Sequence, residues 1–93
     1  MDVKAVRTDE LQLMEHCIGY TQRRVKCGKY SAFRNYYTTN RPDESWEKLC
    51  KYGYAHGERF SGGGSPLAMV YSVTRAGMDF METILGVKIK EED

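Results

Sequence analysis

Trp46-Glu47-Lys48-Leu49-Cys50-Lys51-Tyr52-Gly53 is followed by Tyr54-Ala55-His56-Gly57-Glu58-Arg59-Phe60 and by the loop Ser61-Gly62-Gly63-Gly64-Ser65-Pro66. Leu67 to Val73 and Thr74-Arg75-Ala76-Gly77-Met78 come next. Trp46, Leu49 and Cys50 fall on one helical face, and Gly53 supplies the left-handed residue that closes a helix. Beyond it the period changes to two, so Tyr54–Phe60 and Leu67–Val73 read as two strands of a hairpin around the glycine loop. Thr74 then opens a helix through Met78, Met81 and Leu85 to Gly86. The second half is thus helix, tight turn, hairpin, helix.

Working towards the N-terminus, Asn40-Arg41-Pro42-Asp43 punctuates the chain before the Trp46 helix. Asp43, Glu44 and Glu47 complement the positive end of that helix. Tyr30 to Thr39 carries Phe33, Tyr36 and Tyr37, and the i, i+3, i+7 spacing of Tyr30, Phe33 and Tyr37 predicts a second helix there. Residues 20–29 are a polar, basic connection. A first helix is predicted from Thr8, capped by its hydroxyl, with Leu11, Met14 and Ile18 on its apolar face and Gly19 as its stop. His16 lies at the edge of that face and reads as a surface residue. The expected core is Trp46, Leu49, Phe33, Tyr37, Leu11, Met14, Tyr71, Val73, Met78, Met81 and Leu85. Residues 1–7 and 87–93 are expected to be frayed ends of a single domain spanning 1–93.

Ninety-three residues, 41% hydrophobic and 29% charged, suit one soluble globular domain with one core. No apolar run is long enough for a membrane span, and Met1-Asp2-Val3-Lys4 opens no export signal, so the expectation is cytoplasmic. Cys17, Cys27 and Cys50 are widely spaced and lack the paired ligands of a structural zinc site. Cys17 and Cys50 sit on apolar faces, and Cys27 lies in a basic loop where a thiol is either incidental or activated. No metal or cofactor is expected. With only His16 and His56, the chain shows no H-x-x-x-H and no nucleophile motif, and reads as a non-enzyme. The glycine loop lacks the lysine and helix start of a phosphate-binding P-loop.

Net charge is only +1, yet residues 21–42 hold Arg23, Arg24, Lys26, Lys29, Arg34 and Arg41 and no acid. That asymmetry marks a candidate electropositive patch, although solvated loops also collect such residues.

The run Trp46–Ala55, the glycine loop and Tyr71-Ser72-Val73-Thr74-Arg75-Ala76-Gly77-Met78 resemble winged-helix regulators of the MarR and PadR kind, over about residues 43–86. A second resemblance, over residues 16–80, is to small phage and prophage proteins. It rests on His16–Gly19, Arg34-Asn35-Tyr36-Tyr37, the Trp46/Leu49/Gly53 helix, Gly62-Gly63 and Tyr71-x-Val73-Thr74-x-x-Gly77. The resemblance implies an α+β winged helix-turn-helix: three helices, a two-stranded wing and a C-terminal helix. It further implies a phage or mobile-element origin, a bacterial host cytoplasm and the possibility of a homodimer.

Two functions follow as expectations. The first is nucleic-acid binding, with DNA as partner, through Arg23, Arg24, Lys26, Lys29, Arg34 and Arg41, helped by Lys48, Lys51 and Arg59. Asp43, Glu44 and Glu47 at the start of the third predicted helix repel phosphates and speak against groove reading by that helix. The second is a protein-interaction module, a phage assembly component or an inhibitor of a host factor. Its contacts would be Glu44, Glu47 and exposed Tyr52, Tyr54 and Phe60.

Overall fold

A computed structural model describes residues 5–61 and 64–91. Its elements in chain order are α1 (Thr8–Cys17), a 3-10 turn (Gln22–Arg24), β1 (Lys29–Ala32), β2 (Tyr37–Thr39), α2 (Glu44–Lys51), β3 (Ala55–Arg59), β4 (Met69–Val73), α3 (Arg75–Leu85) and β5 (Lys88–Glu91). The fold is α+β, with two sheets among the described residues. One is antiparallel in the order β2-β4-β3; the other pairs β1 with β5 in parallel.

Two expectations change here. Residues 30–39 form no helix: Lys29–Ala32 and Tyr37–Thr39 are strands in different sheets. The segment is rich in aromatic and β-branched residues, which pack well on a pleated surface. Lys29, Tyr30, Ser31 and Ala32 alternate exposed and buried, the period of a strand. The chain therefore has three α-helices among its described residues, α3 included, rather than three before a fourth. The C-terminal end differs too. Residues 88–91 are not frayed but pair with β1, Lys29 against Lys88 and Tyr30 against Ile89. Residues 1–4 and 92–93, and Gly62 and Gly63 of the glycine loop, lie outside the described residues.

Asn35 stitches the short strands together. Its side-chain amide donates to Val73 O at 2.8 Å and accepts from Val73 N at 2.7 Å, pairing with the end of β4 as a strand would. Tyr30 donates its hydroxyl to Ile18 O at 2.8 Å, satisfying a carbonyl at the end of α1.

The hairpin and both of its flanking helices form as the sequence predicts. Asp43 Oδ1 accepts from Trp46 N at 3.1 Å and Thr74 Oγ1 accepts from Gly77 N at 3.1 Å, so each helix starts on a side-chain cap. Gly53 and Gly86 follow their helices with positive φ. Arg59 in β3 stands opposite Met69 in β4, and Ala55 opposite Val73. Ala55, Tyr71 and Val73 are buried on one face of this sheet, while His56 and Glu58 are exposed on the other.

Trp46, Tyr30, Tyr71, Met14, Ile18, Leu49, Met78 and Met81 are the large, fully buried side chains of one core. Leu11, Tyr37 and Leu85 are partly buried against it. Phe33, expected in the core, is exposed instead, because the strand reading turns it outward beyond buried Ala32. Cys17 is buried and desolvation pushes its thiol up to about 12; burial also raises Cys50, so neither is a ready thiolate.

The start of α1 holds the fold's buried charge. Thr8 is the first helical residue, but its hydroxyl is not the cap: Glu10 reaches back to accept from Arg7 N at 2.8 Å. Glu10 is buried and pairs with Lys48 at 3.0 Å, which joins α1 to α2. Desolvation alone would raise the Glu10 pKa; the Arg7 amide and the Lys48 ammonium outweigh it and hold the carboxyl below its ordinary value. A carboxyl with a depressed folded-state pKa contributes stability above its unfolded pKa and loses it as pH falls through the folded value. Glu10→Gln is therefore expected to cost about 1 kcal/mol at neutral pH. Its deficit should shrink below about pH 4. Thermal melts of both proteins across that range test this; a deficit unchanged by acid would show that the charge contributes nothing.

Candidate nucleic-acid interface

The basic connection after α1 is shaped by two short turns. Gln22–Arg24 makes a 3-10 turn that projects Arg23 and Arg24. Lys26 and Lys29 then bracket a two-residue turn, with Lys26 N to Lys29 O at 2.9 Å and Lys29 N to Lys26 O at 3.0 Å. Its central residues, Cys27 and Gly28, have φ of 53° and 72°. Two successive positive φ values define the tight hairpin turn that matches strand twist, and glycine takes the second place without strain. The turn sets Lys26 and Lys29 directly across from each other.

Arg23, Arg24, Lys26 and Lys29 line one open depression of about 460 Å³ together with Ser31 and Phe33. No carboxylate is among these lining residues. Strand pairing extends the basic surface: parallel register places Lys88 beside Lys29 and Lys90 beside Ser31, and all four are exposed. Paired residues in register share a face, so β5 adds two cations to the ribbon that carries Lys29. Sequence reading missed Lys88 and Lys90, although the alternation Lys88-Ile89-Lys90 about one buried isoleucine was the signal. Glu91 is ion-paired with Arg75 at 3.8 Å. Glu82 is occupied by Ile89 N at 2.8 Å and Arg75 at 2.9 Å.

Phe33 sits in this depression, 48% exposed. The Arg24 guanidinium lies over its ring, 4.6 Å from the centroid, and the Arg34 guanidinium is 5.9 Å away. The ring edge rests against the backbone of Gly19, where an added Cβ would lie 2.6 Å from Phe33 Cε1. Arg34 also donates to His16 O at 2.8 Å, which fixes it between α1 and the patch.

The remaining predicted contacts are not brought together here. Arg41 lies past β2 in the turn before α2. Lys48 is committed to Glu10, and Lys48 and Lys51 flank a separate hollow shared with the acids Glu10, Glu44 and Glu47. Arg59 donates to Pro66 O at 3.2 Å within the β3–β4 hairpin. Among the predicted protein contacts, Tyr52 and Tyr54 are half-buried rather than exposed. Tyr52 donates to Ala5 O at 3.3 Å, and the Tyr54 ring stacks on Phe80 at 4.7 Å. Glu47 accepts from the Tyr71 hydroxyl at 2.7 Å, and burial first, with that carboxylate, pushes Tyr71 up to about 12. Glu44 and Phe60 are exposed. Phe60 stands near the hairpin tip with Leu67, itself half exposed.

Among the described residues, no three His, Cys, Asp or Glu side chains cluster where a metal ion could be held. No helix of these residues is long and apolar enough to cross a membrane. Comparisons of the chain with protein families, curated proteins and solved structures find no match.

Proposed function

We propose that the protein is a non-enzymatic nucleic-acid-binding domain that grips phosphates with the face formed by the 3-10 turn, β1 and β5. The observation that carries this reading is the convergence of Arg23, Arg24, Lys26 and Lys29 on one depression without a carboxylate. Lys88 and Lys90 extend it along the same ribbon. A dense positive surface attracts a polyanion and releases its condensed counterions, which makes binding steeply salt-dependent. The scaffold reading is a winged-helix variant of phage type: α2, the β3–β4 hairpin and α3 follow in the order of the regulators the sequence resembles. The acidic start of α2 disfavours insertion into a groove, so the basic ribbon takes the contacting role.

Titration of a labelled oligonucleotide at several salt concentrations tests the proposal. Each neutralised phosphate contributes a log–log slope of about −0.9 on a duplex and about −0.7 on a single strand. Arg23→Ala/Arg24→Ala is expected to weaken binding and make the slope shallower by roughly one per cation removed. Affinity indifferent to salt, or unchanged in the double variant, would refute it.

A second reading keeps the domain as a protein-interaction module, favoured by exposed Phe60, which lines a hollow with Pro66 at the hairpin end. Exposed apolar side chains are natural interface anchors. Phe60→Ser would then abolish capture of a phage or host protein while sparing nucleic-acid binding.

A further inference from the structure

The nucleic-acid reading leaves one feature of the depression unexplained. Phosphate binding needs cations; it does not need an exposed phenylalanine among them. Phe33 is held in place from below by the Gly19 backbone and carries the Arg24 guanidinium over its ring, yet nearly half of it stays open to solvent. A duplex hides the faces of its bases in the stack and offers such a ring only sugars, phosphates and groove edges. A single strand offers phosphates and unstacked base faces together. Every base has a π-face, and an aromatic ring in a basic groove is the arrangement that takes one without regard to sequence. Planar guanidinium groups stack on the same faces.

Resting on the nucleic-acid reading, we infer that the depression is a single-strand site in which Phe33 stacks a base while Arg23, Lys26 and Lys29 hold the flanking phosphates. Arg24, already seated on the ring, shares the stacking surface. Lys88 and Lys90 carry the strand's continuation along the β1–β5 ribbon. The ligand class is single-stranded DNA or RNA with little sequence preference.

The test compares fluorescence anisotropy of three labelled probes with the 93-residue chain: oligo-dT of about 12 nucleotides, within the usual span of such sites, an abasic strand of equal length, and a duplex. Oligo-dT is expected to bind about ten-fold more tightly than the abasic strand, the size of one base stacked on an aromatic ring. Phe33→Ala should erase that preference, bringing oligo-dT binding down to the level of the abasic strand, and Phe33→Tyr should restore it. Equal wild-type affinity for oligo-dT and the abasic strand would overturn the inference even if the Phe33 variants proved unstable. So would a Phe33→Ala variant that weakened all three probes alike; in both cases salt-dependent phosphate binding would stand. Absence of salt-sensitive binding to every probe would overturn the functional reading itself, and this inference with it.

Discussion

Trp46→Ala is expected to destabilise the domain by about 3–5 kcal/mol. That is a large part of the roughly 5–15 kcal/mol available to a small domain. Trp46 is fully buried, stacked on Tyr71 at 5.4 Å with ring planes 8° apart and tilted against Tyr37 at 5.5 Å. Tyr71 comes from the central strand β4, and its hydroxyl accepts from Asp43 N at 3.0 Å, so this ring pair anchors the start of α2 to the sheet. Truncation to alanine removes the indole and leaves a cavity between two aromatic rings. Trp46→Phe should cost far less. It keeps an aromatic face against Tyr71, and the buried indole Nε1 donates to no protein atom among the described residues. For a chain of this size the alanine variant should melt more than about 12 °C below wild type by circular dichroism. A melting point within a few degrees of wild type would mean that the core is organised around other residues.

The elements most legible in the sequence are those whose signals are local. Asp43, Gly53, Thr74 and Gly86 each act within a few residues of the helix end they mark, and the caps and positive φ values stand where that chemistry put them. Residues 30–39 were illegible for the opposite reason. Tyr30, Phe33 and Tyr37 satisfy a helical spacing and a strand composition equally well, and the decision belongs to tertiary partners. β1 pairs with β5 at the other end of the chain, β2 with β4, and the intervening Asn35 with the backbone of Val73. Once β1 is a strand, Phe33 must face solvent and the supposed fraying tail must become its partner.

The candidate site divides along the same line. Arg23, Arg24, Lys26 and Lys29 were legible because two tight turns keep sequence neighbours together in space. Lys88 and Lys90 were not, since only parallel pairing brings them there. Lys48 stands apart from the depression, paired with Glu10, and nothing local announces that Glu10 is buried and takes a cation. Tyr52 and Tyr54 read as surface residues because the turn at Gly53 hides which side of it α3 covers. The packing of Phe80 on Tyr54 answers that.

Gly77→Ala is expected to destabilise by about 1–3 kcal/mol, against the direction that helix propensity gives. In a helix, alanine is favoured over glycine by about 1 kcal/mol, and Gly77 lies in the first turn of α3 with an ordinary helical backbone. The close approach of the chain decides the sign. A Cβ at this position would collide with Tyr54 O, and would lie 3.0 Å from the Tyr54 carbonyl carbon and 2.8 Å from Val73 Cγ1. Backbone cannot swing aside as a flexible side chain would. Tyr54 O accepts from Thr74 N at 3.0 Å, while Thr74 Oγ1 donates to Gly53 O at 2.6 Å and caps Gly77 N. Relieving the overlap must therefore pull α3 off the turn after α2 and strain the two Thr74 hydrogen bonds that hold it there. Spacing Thr74 and Gly77 three residues apart thus joins a cap to a gap: the hydroxyl ties the helix start to the turn, and the missing side chain lets the two backbones touch. Ala76→Gly, at an exposed position in the same turn, separates the two effects, since there only propensity acts and the loss should be about 1 kcal/mol. If denaturant melts found Gly77→Ala as stable as wild type or more so, α3 would not rest on Tyr54, and the docking of the last helix would have to be redrawn.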